Sequence, residues 1–368
     1  MKIKPFTCFL FAFAVIIIAV SPWLIQSYYS EEPEIVPYKG MLTLWNITDW
    51  RTGGSSPLSF LKKRVAEFES RSAHIFIDVE NMTPQEAAAA VQNGEAPDMI
   101  SYPLGFDSGL KFSSLPHKST IFPHITDSAY PYMCGGYCVM LNTDMLERQG
   151  LFAPSDWGVR PDELIDIAKL GVCFDSEEGY SSLPAIAAHK YPDAQDAKSF
   201  TWEKPAVPEA AINLSVVAFS DGLRLFRTEQ ACMLIASHNQ LYELGKLLED
   251  SSSPSFRPYA LSGYTDMVQL ISVVSCEDEK KRQACAEFAG YLLRESVQKK
   301  TEALGVFPVL PGLEIYEDNE CLYMMYELLS KGALLAKPED RQKLGELSMG
   351  ALQGSKDDLR GIRRLLGY

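Results

Sequence analysis

Polar and apolar residues alternate over short stretches of this chain, then switch to helical spacing, and the switch repeats. Met41 to Trp45 reads as a strand. Ser56-Pro57 offers an N-cap followed by proline at the first helical position, and Leu58, Leu61, Val65 and Phe68 then share one helical face. Lys62, Lys63 and Arg64 fall mostly away from that face. The unit is repeated at once. HIFIDVE (74–80) alternates as a strand, TPQE (83–86) is a capping box with proline at N1, and Asn93-Gly94 stops the helix before the strand PDMISY (97–102). Strand, helix, strand, helix, strand in this short span is the grammar of a parallel α/β sheet.

Beyond Ser101 the chain is loop-rich to Thr126. YCVMLN (137–142) reads as a buried strand, and TDMLERQGL as a helix capped by Thr143 and ended near Gly150. PDELIDIAKLG (161–171) follows as a helix with Leu164, Ile167 and Ala168 inward, and 172–210 carries little pattern. LSVVAF (214–219) fits a strand or a helix, and ACMLIA (231–236) a strand. LYELGKLLE predicts a short helix, SSSPSFRP (251–258) a linker, and MVQLISVV (267–274) another strand. EDEKKRQACAEFAGYLLRE is amphipathic at helical spacing, VQKKTEALG is a helix closed by Gly305, and the C-terminal third is helical.

The first 30 residues follow a different rule. Lys2 and Lys4 precede FTCFLFAFAVIIIAVSPWLIQ, an uncharged and mostly apolar run long enough to span a bilayer. The leading lysines favour a cytoplasmic N-terminus, and Ala19, Ser21 and Pro22 make a poor cleavage site. An uncleaved membrane anchor over 1–30 is expected, with a cleaved signal peptide as the alternative. A polar linker, 31–40, leads from it to an exported body.

Composition narrows the chemistry. A net charge of −14 and a pI of 4.9 argue against a nucleic-acid partner and leave room for a cationic ligand. Seven cysteines lie in the exported part, an odd number expected to be core thiols with one or two bridges. The Cys134/Cys138 and Cys276/Cys285 spacings do not match a zinc pair, and His117 and His124 lie seven apart in a loop, so no metal or cofactor is expected. Phosphate-loop, dinucleotide, zincin and nucleophile-elbow motifs are all missing, which leaves an enzyme without a positive signal.

The order of segments from Leu42 onward resembles the extracellular solute-binding proteins of ABC importers, in the family that takes up sugars and oligosaccharides. LTLWNITDW followed by FLKKRVAEFESRSAHIFIDV resembles the family's opening, and APDMISY its "P-D-v-v" strand. AYPYMCGGYCVMLNTDMLERQGL places Asn142 and Asp144 as the family does, and WGVRPDELIDIAKL resembles its "tWdEl" helix. FRTEQACMLIASHNQLYELGKL is similar to "f-sGkaaM-i-g-w-l", with Glu229 and Gln230 where glycine is usual. AEFAGYLLRESVQKKTEALGVFPV and ALQGSKDDLRGIRRLL resemble the closing segments. No lipobox cysteine follows the apolar run, since Cys8 lies near its start, so a transmembrane tether stands in for a lipid anchor.

The resemblance implies a two-lobed, periplasmic-binding-protein-like (type II) α/β fold with a ligand cleft between the lobes. It divides the chain into an N-terminal lobe of 41–128 and 266–306 and a C-terminal lobe of 129–265 and 307–368. Ligands in such sheets bind beyond the carboxyl ends of strands, and sugars need aromatic faces together with carboxylates or amides. The candidate ligand-binding residues are accordingly Trp45, Asp49 and Trp50 after the first strand and Tyr102 after the third. Gly135, Gly136 and Tyr137 precede the 137–142 strand, Ser237 and His238 follow ACMLIA, Tyr264 and Asp266 sit at the second crossing, and Phe307 at the third. Trp45, Tyr102 and Phe307 also fit plain packing, Asp49 a turn cap, the glycines a turn, and His238 a surface loop. Trp50 stands apart, because a second tryptophan in a Gly-rich polar loop has little apolar face to join.

The implied function is capture of a small solute, foremost a carbohydrate, by lobe closure, and its delivery to an ABC permease without covalent chemistry. Alternatives are a tethered module reporting to a sensor or partner protein, a binder of polyamines or other cations, and an exported glycosidase.

Overall fold

The computed structural model describes residues 38–151 except 73, 123, 124 and 126, then 167–175, 184–185, 214–217 and 219–245. It continues with 256–331 except 262 and 263, residue 335, and 340–365 except 353, and everything below concerns the compact unit Lys39–Tyr368. The expected anchor at 1–30, most of the helix expected at 161–171 and most of 172–210 lie outside the described residues. No described helix is long and apolar enough to cross a membrane.

Two five-stranded sheets organise the chain. The first contains β1 (Gly40–Ile47), β2 (Ile75–Met82), β3 (Met99–Pro103), β4 (Tyr130–Cys134) and, from much later, β10 (Val268–Val273), in the order β2-β1-β3-β10-β4. β1 pairs in parallel with β2 and β3, while β10 runs antiparallel to β3 and β4. The second contains β5 (Tyr137–Asn142), β6 (Val172–Asp175), β7 (Leu214–Val217), β8 (Met233–Ser237) and β9 (Phe256–Ala260), ordered β7-β6-β8-β5-β9. LSVVAF thus contributes a strand, and the last three residues of the expected linker SSSPSFRP, Phe256 to Pro258, are drawn into β9 by pairing with β5. β4 hydrogen-bonds into the first sheet, although it lies past the expected boundary at 128.

The helices begin where the sequence supplies caps. In α1 (Pro57–Glu69) the Ser56 side chain accepts from the Ser59 N–H with proline following the cap. In α2 (Pro84–Gln92) Thr83 and Glu86 form the complete reciprocal capping box. α3 (Thr143–Arg148) is capped one residue earlier than expected, by Asn142, whose Oδ1 takes the Met145 N–H at 2.9 Å. Asparagine outranks threonine in that role. Arg64 is a second correction: it is buried, because its guanidinium lies 5.1 Å from the Phe60 ring centre and pairs with Glu67 at 2.8 Å.

Single polar residues lock the first sheet to its helices. Asp98 opens β3, accepts the Thr43 N–H of β1 at 2.9 Å and pairs with Lys281 at 2.6 Å. Lys281 belongs to α6 (Glu279–Leu292), which follows α4 (Phe219–Arg227) and α5 (His238–Gly245) in the chain and is capped by Asp278. After α6 come α7 (Glu295–Gln298) and a 3-10 turn, Lys299–Leu304, ended by Gly305 in the left-handed region at φ 68°. α8 (Glu320–Ser330), α9 (Arg341–Leu352) and α10 (Lys356–Leu365) complete the chain, with α8 packed on β9 of the second sheet. None of the seven cysteines among the described residues is in a disulfide, and six of them are buried, so the expected bridges are replaced by core thiols.

Candidate functional site

Three segments pass between the sheets side by side. Cys134 and Phe307 exchange both backbone hydrogen bonds, at 2.9 and 2.8 Å. The Gly135 N–H donates to the Met267 carbonyl at 2.7 Å, and the Thr265 hydroxyl to the Gly135 carbonyl at 2.9 Å. Gly135, Asp266 and Phe307, singled out at three separate points of the sequence, therefore meet in one hydrogen-bonded crossing.

The loop after β1 and the start of α5 close on this crossing from opposite sheets. Trp50, from the loop, meets His238 edge-on with ring centres 5.8 Å apart, and His238 meets Phe307 at 5.8 Å. Phe307 in turn touches Tyr316 at 5.7 Å. A second aromatic pair forms at the start of β5: Tyr137 stacks on Tyr264 at 6.4 Å and donates its hydroxyl to Asp266 at 2.7 Å. The paired glycines permit these approaches. A Cβ on Gly135 would stand 2.3 Å from the His238 ring, and one on Gly136 would stand 3.2 Å from Leu329.

His238 is fully buried at the start of a helix rather than on a surface loop. Burial pushes its imidazole down to about 4. The Gly136 N–H donates to Nδ1 at 3.3 Å, which assigns the proton of the neutral ring to Nε2. Among the described residues, neither that Nε2–H nor the buried Trp50 Nε1–H has a hydrogen-bond partner. Two orphaned donors on touching rings are costly, and an acceptor-bearing solute is the kind of group that relieves them. Ser237 is buried beside them, its N–H donating to Gln240 at 2.9 Å and its hydroxyl bonding Asn239.

Asp49 is exposed beside this cluster. Tyr102 is buried among other partners: it stacks on Phe112 at 5.8 Å and bonds the Ser272 hydroxyl at 2.9 Å. Trp45 is buried within β1, opposite Ile100 of β3.

Sequence reasoning missed two participants. Tyr242 lies one helical turn after His238, and its ring covers Gly53 and Gly305, where an added Cβ would stand 2.7 and 2.9 Å from it. The Gly54 N–H meanwhile donates to the Leu304 carbonyl at 2.7 Å. The i, i+4 spacing of His238 and Tyr242 and the Gly53-Gly54 pair were the available signals. The second participant is Gln298, fully buried, whose amide donates to the Tyr132 and Leu292 carbonyls and accepts the Val309 N–H, all within 2.9 Å.

No family model matches the chain, and no curated protein matches it in sequence. Solved structures do. The cyclic α-maltosyl-1,6-maltose-binding protein of Arthrobacter globiformis superposes with a TM-score of 0.59 at 14% identity, over 89% of this chain and 98% of that one. The fold is that of the two-lobed substrate-binding proteins. The maltodextrin-binding protein of L. casei BL23 gives a TM-score of 0.59 at 15% identity, over 90% of this chain and 100% of its own. The galacto-N-biose-/lacto-N-biose I-binding protein of the ABC transporter from Bifidobacterium longum gives 0.56 at 11% identity, over 89% and 96%.

Proposed function

We propose that this chain is the solute-capturing component of an ABC importer and that its ligand is a carbohydrate. In this reading it is exported and tethered outside the cell by its N-terminal apolar segment. The observation that carries it is the junction between the sheets. There the Trp50 loop of one lobe and the His238–Tyr242 face of the other converge on a hydrogen-bonded crossing. Aromatic faces, orphaned donors and carboxylates in one place suit a ring with apolar C–H faces and polar edges. Support for the ligand class comes from the proteins of like fold, whose names give maltodextrin, cyclic maltosyl-maltose and lacto-N-biose.

The ligand contacts we assign are Asp49, Trp50, Gly135, Gly136, Tyr137, Ser237, His238, Tyr264, Asp266 and Phe307, with Trp45 and Tyr102 as supporting wall. The lobes we assign follow the sheets: 41–134 with 267–306 for the first, and the remainder of the body for the second. Capture works by closure. In the form described most of these side chains fill the junction themselves, so the solute enters as the lobes part and is held as they return. No residue is given a catalytic role.

A thermal-shift panel of the full chain against maltodextrins, lacto-N-biose, spermidine and amino acids tests the proposal. A rise in melting temperature with one of the saccharides is expected. A rise with spermidine alone would transfer the site to cationic ligands, and release of reducing ends from any glycan would make the protein a glycosidase.

A further inference from the structure

Two of the three large hydrophobic side chains that stand exposed among the described residues lie side by side. Met41 of β1 is 65% exposed and Phe76 of β2 is 59% exposed, and the two are direct partners in the parallel register. Strand alternation puts them on one face of the sheet, since their neighbours Leu42, Ile75 and Ile77 are buried. Elsewhere on that face β2 is charged, as an edge strand requires, with Asp78 and Glu80 exposed at the next outward positions. Phe76 is the exception, and it lies at the end of the lobe where both strands begin.

The layout of the chain points to what covers this patch. Lys39 and His74, both exposed, lead into the two strands, and the Gly40 N–H donates to the His74 carbonyl at 2.9 Å. The chain therefore enters its folded body at the patch itself. The apolar run expected to be the membrane anchor ends at Gln26, and the stretch from there to Lys39 reaches at most about 45 Å when drawn straight. A tether that short gives the patch a local concentration of about millimolar order at the bilayer. Two side chains too few to hold a membrane by themselves are then sufficient.

The polarity is graded to suit phospholipid. The Lys39 ammonium stands at the tip, where it can meet lipid phosphates, while Asp78 and Glu80 lie about 7 and 13 Å further along β2, on the water side. A second copy of the chain suits the face less well, because a two-fold contact there brings the carboxylates of both copies together.

We propose that the end of the first lobe bearing Met41 and Phe76 rests on the phospholipid surface to which the chain is tethered. The inference rests on the exported, tethered reading above and is independent of the ligand. β1 runs from this patch towards the Trp50 loop, so the ligand junction stands roughly 25 Å away, at the other end of the strand. Docked in this way, the lobe turns its junction towards the solution, where solute is captured. The patch has to leave the bilayer before the junction can meet a protein embedded there.

The test is photo-crosslinking of the full chain in phosphatidylcholine–phosphatidylglycerol vesicles, with p-benzoylphenylalanine in place of Phe76 and, as a control, in place of Tyr323, the third exposed large hydrophobic. The chain is expected to float with the vesicles and to give about tenfold more lipid adduct at position 76 than at 323. No excess of lipid adduct at 76, or crosslinks from it chiefly to a second copy or to residues 31–37 of the same chain, overturns the docking and leaves the tether standing. A chain that does not float with the vesicles overturns the tether and the docking together.

Discussion

His238 concentrates the residue-scale physics. Its imidazole is neutral and buried in the folded chain, with a value pushed down to about 4 from the usual 6.5. The unfolded chain therefore binds the extra proton first as pH falls. The stability contributed by the neutral ring is complete above pH 6.5 and is lost progressively towards pH 4, a change of about 3 kcal/mol. Urea unfolding from pH 7 to pH 4 should show this loss, and His238→Gln should flatten the dependence across that window. Gln298 makes a sharper structural prediction. Gln298→Leu strands two buried carbonyls and one N–H, and should cost about 2–4 kcal/mol in urea unfolding. Glu229 works the other way. It stands at φ 60°, in the left-handed region that favours glycine, held by Arg148 at 2.6 Å. That ion pair is exposed and contributes little, so Glu229→Gly should raise stability by about 0.5–1 kcal/mol in the same assay.

At the scale of elements, the local signals in the sequence carried most of the fold. Ser56-Pro57, Thr83 to Glu86 and Gly305 each set a helix end through short-range chemistry, so position along the chain was enough to read them. β4 and β9 were not legible. AYPYMC shows no alternation because all five residues of β4 are buried, and Pro258 lies within β9; both strands exist because a distant partner pairs with them. The candidate site divides in the same way. Trp50 and His238 could be named from strand ends and Phe307 from the crossing that the resemblance implies, but that they touch depends on three crossings far apart in sequence. Tyr242 escaped notice because its partner is the bare backbone of Gly53 and Gly305, which no side-chain pattern announces. Gly53→Ala should therefore act on the junction rather than on either lobe. It forces the loop off Tyr242 at a cost of about 1–3 kcal/mol, seen as faster hydrogen exchange in peptides covering 50–56 and 238–245 and little change in β1 or β8.

For the whole molecule, each lobe is built on its own sheet, and among the contacts through which the two meet are backbone hydrogen bonds, close-approaching glycines and aromatic edges. Such a junction holds shape and can still part, which a capture-and-release binder requires. The acidic charge of −14 keeps the surface solvated and enters this account only as the reason to include cationic competitors.

The most direct measurement is a calorimetric titration of the full chain with the saccharide that gives the largest thermal shift, repeated with Trp50→Ala. The account predicts saturable one-to-one binding by the native chain, and a loss of about 2–4 kcal/mol of affinity in the variant as its orphaned donor and aromatic face are removed. Equal affinity in both proteins, or saturable binding of spermidine with none of any saccharide, would contradict it.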